Sequence, residues 1–354
     1  MACLAALVVR RFPQNPLLRP ADIPPSQPGM HVECLLNPGV FRFEGKIGLL
    51  LRVAERTHQQ PGKTTVPILS EGQVELLEFD HADPLLDLSD PRVVRRAGVD
   101  YLTTLSHLRV AWSEDGVHFQ VSGDPLPGLG DLESYGIEDC RVSQIGPDYY
   151  LTYTAVSPHG VGVGLRTTRD WRTFQPRGMI FPPHNKDCAI FEEKIGGYYY
   201  ALHRPSSPDL GGNYMWLARS PDLLHWGQHH CLIHPRSGHW DSARVGAGAA
   251  PIRTERGWLE IYHGANSSHR YCLGALLLDL DDPARVLARS LDPIMEPLAD
   301  YEQNGFFGHV VFTNGHLLDG DRLTVYYGAS DSVICAAQFS VQEILDSLVL
   351  RQVP

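Results

Sequence analysis

Several things are scarce or missing in this chain of 354 residues, and each absence narrows what it can be. No Cys-x-x-Cys pair occurs: Cys3, Cys34, Cys140, Cys188, Cys231, Cys272 and Cys335 are scattered and odd in number. That argues against a zinc knuckle and against a disulfide framework, and reads as free thiols in a reducing cytoplasm. No apolar run approaches the roughly 18 residues of a membrane span. Met1–Val9 is apolar, but Arg10 and Arg11 follow it rather than precede it. This is the reverse of a secretory signal, and the segment reads as a first strand or strap. Base is scarce too: 30 Lys and Arg face 41 Asp and Glu, for a formal net charge of −11. Nucleic-acid binding needs a basic face, so that partner class is excluded, whereas a neutral sugar is indifferent to the charge. No glycine-rich phosphate loop and no regularly spaced metal ligands occur, so neither a nucleotide nor a metal cofactor is expected. Oligomeric state is left open.

Helical periodicity is the last absence. Gly (33) and Pro (27) punctuate the whole chain, and no long segment keeps a 3.6-residue apolar period. In its place a short pattern recurs. Ser113-Glu-Asp-Gly-Val-His-Phe119, Thr168-Arg-Asp-Trp-Arg-Thr-Phe174 and Ser220-Pro-Asp-Leu-Leu-His-Trp226 all read Ser/Thr-x-Asp-x-x-x-aromatic, with starts 55 and 52 residues apart. The Asp is expected to close a turn through its side chain, and the aromatic to cap the next strand. Each copy follows a strand-like run: His107–Trp112, Val161–Arg166 and Tyr214–Arg219. A second series, Gly48–Val53, Tyr149–Ala155, Tyr198–His203, Trp258–His263 and Leu323–Tyr327, makes five units. A period near 50 residues built of short strands points to an all-β, five-bladed propeller in one domain over residues 1–354, with a β-sandwich or two β-domains as the alternative. A helix-like tail, Val341–Leu350, follows the last strand. Thr57–Asp90 reads as a polar loop decorating the first blade.

Propellers bind ligands on one face around the axis, so polar residues in apolar strands near that face are candidates, because burying them is costly unless they are paired or used. Arg52, Arg204, Glu260, Tyr262, His263 and Asp331 fit this description, with a structural ring of salt bridges as the plain alternative. Gly136-Ile-Glu-Asp-Cys-Arg141 is the densest cluster. In an extended strand Asp139 and Arg141 would share one face and Glu138 the other, and an Arg beside an Asp lowers the carboxyl pKa. Asn185-Lys-Asp187 reads as a loop entering a strand, suited to a sugar hydroxyl network or to a surface turn. Tyr135, Tyr262, Phe306 and Phe307 are placed to stack on sugars.

At these residues the chain resembles glycoside hydrolase family 130, the mannoside phosphorylases and related β-mannosidases. The matching stretches are Gly136-Ile-Glu-Asp-Cys-Arg141, Asn185-Lys-Asp187, His203-Arg-Pro205, Gly246-Ala-Gly-Ala-Ala-Pro251, Gly257-Trp-Leu-Glu-Ile-Tyr-His-Gly264 and Tyr301-Glu302, running from Asn37-Pro-Gly39 to Tyr327-Gly-Ala-Ser-Asp331. The resemblance implies a five-bladed propeller, a small oligosaccharide substrate, and Asp139 as proton donor. Cys140 stands where the family pattern has Pro, which leaves the carboxylate in place. It further implies that Asn37, Arg52, Arg141, Asn185, His203, Tyr262 and Asp331 surround the bound mannosyl unit.

Inversion needs a proton donor on one side of the glycosidic bond and a nucleophile on the other. Water needs a carboxylate base; inorganic phosphate needs fixed cations instead. A family phosphate-binding Arg aligns with Gly162 here, and Tyr101-Leu-Thr-Thr-Leu-Ser-His-Leu-Arg109 also resembles the hydrolytic branch. The expectation is therefore an inverting β-mannosidase, acting on β-1,2 links, with Asp139 as acid and Glu260 as base. Phosphorolysis is the alternative, with phosphate as co-substrate held by Lys186, Arg204 and His263. A non-catalytic sugar-binding propeller is a third reading, disfavoured by the intact Asp139.

Overall fold

The three repeated turns form as their residues dictate. Asp115 Oδ1 accepts the N–H groups of Val117 (2.9 Å) and His118 (2.8 Å), while Ser113 Oγ accepts that of Gly116 (2.8 Å). Asp170 does the same for Arg172 and Thr173 with Thr168 binding Trp171 N, and Asp222 for Leu224 and His225 with Ser220 binding Leu223 N. Side-chain oxygens thus satisfy backbone donors that a tight turn would strand. Phe119, Phe174 and Trp226 then pack against three separate apolar clusters. A fourth turn uses the same device, with Asp279 Oδ1 accepting from Asp281 and Asp282. It lacks both the hydroxyl and the aromatic, so the pattern does not reveal it.

These turns join strands of antiparallel sheets. The computed structural model describes residues 8–90, 92–206 and 211–348, and in it five large sheets follow one another along the chain. The first holds Met30–Phe43, Lys46–Thr57, Leu105–Ser113 and Gln120–Leu126, and the second Ile137–Ile145, Asp148–Ser157, Gly160–Thr168 and Gln175–Phe181. The third holds Asn185–Ile190, Tyr199–Pro205, Met215–Ser220 and Gly227–Ile233. In the fourth, Arg244–Gly246 and Ile252–Thr254 pair with Gly257–Ala265, followed by Tyr271–Leu278 and Val286–Arg289. The fifth holds Val311–Asp319, Arg322–Ala329, Val333–Ser340 and, at its outer edge, Arg10–Arg11. Each of the five runs of the second series falls in the strand paired with its sheet's first strand.

Neighbouring sheets are tied near their first strands. Ser143 Oγ donates to Ile190 O (2.8 Å), Val245 N to Asn213 O (3.0 Å), Tyr271 N to His309 O (3.0 Å), and Asn314 Nδ2 of the fifth sheet to Asn37 O of the first (3.2 Å). The approach is close enough to demand glycine at Gly39, where a Cβ would lie 2.9 Å from the carbonyl oxygen of Cys140.

Two segments differ from the sequence expectation. The stretch after Thr57 is an insertion with its own structure: a hairpin, Lys63–Ser70 and Gln73–Asp80, and three strands, Leu86–Asp90, Val93–Arg96 and Val99–Leu102. Val66, Phe79 and Val94 give it a small core. The C-terminal helix spans Val341–Ser347, with Ser340 Oγ accepting Glu343 N at its start and Ile344 and Leu345 buried against the fourth and fifth sheets. Residues 349–350 of the expected tail, residues 1–7 of the expected strap and residues 207–210 lie outside the described residues. Among the described residues no helix is long and apolar enough to cross a membrane.

The N-terminal strand is held by charge as well as by pairing. Arg11 Nε and an Nη donate to the two oxygens of fully buried Glu302 (2.7 and 2.9 Å), which also accepts Tyr327 O–H and the N–H groups of Leu298 and Ala299. Replacing Arg11 with Ala leaves that carboxylate buried without its cation. We expect a loss of about 3 kcal/mol, the low end for breaking a buried pair because Arg11 is itself partly exposed. Urea unfolding measures it: Arg11→Ala shifts the midpoint down, and Arg11→Lys recovers part of the loss. A wild-type midpoint for Arg11→Ala would mean that the pair does not hold the strand.

Candidate active site

Asp139 is placed by a bulge. The first strand of the second sheet slips register between Glu138 and Arg141, and Asp139 takes φ +49. A bulge re-aims side chains, and it undoes the alternation that would send Glu138 and Asp139 to opposite faces. Both carboxylates instead reach one guanidinium: Arg52 donates to Asp139 Oδ1 (3.0 Å) and to Glu138 Oε1 (2.8 Å), and its Nε to Ser106 Oγ (3.1 Å). Asn37 Nδ2 adds a bond to Asp139 Oδ1 (3.1 Å). Burial alone would raise the Asp139 carboxyl, but Arg52 and Arg141 outweigh it and hold it below its ordinary value.

The third sheet repeats the device. Its first strand slips between Lys186 and Ala189, with Asp187 at φ +54. Asp187 is ringed by two guanidinium groups and an imidazole: Arg141 at 3.2 Å, Arg204 at 3.1 Å and the His263 ring at 3.3 Å. Burial opposes its ionisation, yet Arg204, Arg141 and His263 hold its pKa well below the ordinary carboxylate value. Burial also lowers His263 to about 4, so that ring is neutral near pH 7.

Asn37, Arg52, Asp139, Lys186, Asp187, Arg204 and Asp331 line one cavity of about 480 Å³. Burial, with the charges of Asp139 and Glu138 adding to it, pushes Asp331 up to about 7 against the opposing pull of Arg52 and Arg92. The cavity cations divide into two kinds. Arg52, Arg92 and Arg204 each face a carboxylate, Arg92 bonding to Asp90. Lys186 and Arg244 have no carboxylate partner among the described residues; Arg244 donates only to the Tyr271 hydroxyl (2.9 Å), and its buried Nε has no acceptor. That is a place for an anion. Among the described residues no group of three or more His, Cys, Asp or Glu side chains could hold a metal ion.

Other expected site residues lie outside the cavity lining. Arg141 and His263 sit behind Asp187 and support it. Asn185 and His203 bond to each other (3.0 Å), and His203 bonds to His229 (3.1 Å) and stacks on Phe181, so their polar atoms are spent within the third sheet. Tyr262 donates to Asp241 and accepts from Arg289 inside the fourth sheet. Glu260 requires the firmest correction. It is 1% exposed, it accepts the Gly248 N–H (2.7 Å), its second oxygen has no partner, and it does not line the cavity. Burial raises its pKa well above the ordinary value, and a carboxyl shut away from solvent and cavity has no water to deprotonate. Gly162 is likewise remote: its Cβ would run into Met179 within the second sheet, so the missing Arg there says nothing of the cavity's cations.

Several cavity residues escaped the sequence reading: Arg92 from the insertion, Arg244, His269, Tyr271 and Phe312. None stands in a motif. Phe306 and Phe307 do line the cavity as expected, whereas Tyr135 and Tyr262 do not.

Comparison with known proteins bears on this site. A family model, glycoside hydrolase 130, described as β-1,4-mannooligosaccharide phosphorylase, matches residues 91–350. A β-1,2-mannobiose phosphorylase of Listeria innocua is 45% identical over 348 residues, 96% of this chain and 98% of that protein. Its structure, solved in complex with β-1,2-mannobiose, superposes with a TM-score of 0.93, covering 96% of this chain and 99% of that one. A 1,2-β-oligomannan phosphorylase of a Thermoanaerobacter species is 38% identical over 68% of this chain and 80% of its own. A structure described under family members that hydrolyse β-1,2 mannosidic linkages in Candida mannan reaches a TM-score of 0.74 at 22% identity over 97% of this chain and 96% of that one, a likeness of fold alone. The expectation of a hydrolase is overturned: the relatives similar in sequence are phosphorylases, and the chosen base lies outside the cavity.

The raised Asp331 has a consequence for stability. A carboxyl whose pKa rises on folding, from 3.8 to about 7, is protonated in the folded chain and ionised in the unfolded one between those values. Stability therefore falls as pH rises through that window and levels off above it. Asp331→Asn cannot ionise, so it should gain in melting temperature relative to wild type from pH 4 to pH 7, with the gap constant above. Melting curves across that range check it, and a gap independent of pH would contradict the assignment.

Proposed function

The chain belongs to glycoside hydrolase family 130, and we propose that within it the protein is a β-1,2-mannoside phosphorylase, splitting a β-mannoside with inorganic phosphate to release mannose 1-phosphate. The observation that carries this reading is the pair Lys186 and Arg244, cations on the cavity wall with no carboxylate partner among the described residues. Arg204, held by Asp187, adds a third positive group. Phosphate brings its own negative charge and needs no base, which accords with Glu260 being out of reach. The β-1,2 linkage rests on the Listeria and Thermoanaerobacter relatives.

In this reaction a phosphate oxygen forms the new bond to the anomeric carbon as the bond to the leaving sugar oxygen breaks. That oxygen takes a proton, and the configuration inverts. Asp139 is the donor. Its own carboxyl is depressed by Arg52 and Arg141, but Asp331 nearby holds a proton up to about pH 7, so the acidic side of the cavity carries one transferable proton near neutrality. Arg52 and Asn37 fix Asp139, and Arg141 fixes both Asp139, through its carbonyl (2.9 Å), and Asp187. We also infer that the five sheets stand as blades around one axis, a five-bladed propeller. The ties between successive sheets, the tie from fifth to first, and the N-terminal strand in the last sheet support it.

The decisive assay supplies β-1,2-mannobiose with and without phosphate. We expect mannose 1-phosphate and mannose in equal amounts with phosphate, and no cleavage without it. Mannose released in phosphate-free buffer would refute the proposal. Lys186→Ala should raise the KM for phosphate about 10-fold or more, the cost of one charge-assisted hydrogen bond. Asp139→Asn should lower kcat by about 10²–10⁴ while the protein stays folded.

A further inference from the structure

The insertion in the first sheet does more than decorate it. It brings Arg92 to the edge of the cavity, where the side chain is 58% exposed and its guanidinium is oriented by two bonds to Asp90 (3.1 and 3.0 Å). That guanidinium lies 5.8 Å from the centre of the Phe307 ring, within cation–π range. On the same ring, His269 makes an edge contact at 5.9 Å. Arg92 comes from the insertion between strands of the first sheet, His269 from the hairpin of the fourth, and Phe307 from the loop leading into the fifth. Three separate parts of the chain thus touch at one aromatic ring.

That ring is fixed. Phe307 N donates to Ser330 O (3.0 Å) and Phe306 N to Ser332 Oγ (2.7 Å), on either side of Asp331. Phe306 is 39% exposed, so this stretch stands at the mouth of the cavity. The insertion is anchored as well: Tyr101 packs between Phe79 (5.1 Å) and Tyr135 (5.9 Å), and Leu69 N donates to Ser134 O (2.7 Å). Separations below 6 Å are contact distances and leave no gap for a sugar ring between Arg92, Phe307 and His269.

We infer that Arg92, Phe307 and His269 form a clasp across the cavity mouth that restricts the substrate to short mannosides, favouring the disaccharide over longer β-1,2-linked chains. This rests on the phosphorylase reading and adds a chain-length determinant to it. A third sugar must pass the clasp, so its binding requires the contact to open.

The test compares kcat/KM, at saturating phosphate, for β-1,2-mannobiose and β-1,2-mannotriose in wild type, Arg92→Ala, Phe307→Ala and Phe307→Tyr. Wild type should favour the disaccharide. Both alanine variants should raise the trisaccharide-to-disaccharide ratio about threefold or more, the scale of one exposed cation–π contact, through a lower KM for the trisaccharide. Phe307→Tyr keeps the ring and should keep the wild-type ratio. If Phe307→Ala does not fold, Arg92→Ala, altered at an exposed side chain, decides the matter. Phosphate-dependent activity with an unchanged ratio in the alanine variants, or a wild type without preference, overturns the clasp alone. A wild type inactive with phosphate on both sugars overturns the phosphorylase reading and the clasp with it.

Discussion

Arg141 is the group on which the rest of the site depends. It is 1% exposed, and a buried guanidinium is tolerable only when its charge and donors are met. Nε donates to Gly248 O, one Nη to Asp139 O, and the other to Asp187 Oδ1 and Ala247 O. Those partners come from the second, third and fourth parts of the chain. One side chain therefore sets the relative positions of the two bulged aspartates and of the Ala247–Gly248 backbone, and Glu260 fastens that backbone from the other side through Gly248 N.

Two electrostatic regions follow from this arrangement. On one side, Asp139, Glu138 and Asp331 gather around Arg52, and the crowding of carboxylates in a poorly hydrated wall keeps a proton on Asp331. On the other, Asp187 is over-supplied with cations by Arg141 and Arg204, while Lys186 and Arg244 have no carboxylate partner among the described residues.

Much of the fold was legible because its signals are local. The Ser/Thr-x-Asp turn closes through atoms two and three residues apart, so three copies could be read directly, and the second-strand runs located all five sheets. The turn at Asp279 was missed because only the Asp remains of the pattern. The insertion was read as loop because its strands are short, polar and largely exposed, and that concealed Arg92. Within the site, Asp139 and its neighbours were legible from one short motif. Glu260 was misplaced because strand alternation tells which side a residue takes but not what covers that side.

The order of residues by itself determined the strand-and-turn repeat, the absence of membrane-length apolar runs, and the presence of Asp139, Lys186, Asp187 and Arg204 in short polar clusters, since each depends on neighbours in sequence. Only the tertiary structure decided which charges meet. Arg52 lies 87 positions from Asp139 in the chain, Arg244 meets Tyr271 across the intervening strand Gly257–Ala265, and Glu260 is sealed behind Gly248. Whether a carboxylate meets water or is sealed from it, and whether a cation is spent in a pair or left without one, depends on burial and on partners distant in sequence. The choice between water and phosphate therefore lay beyond the reach of local pattern.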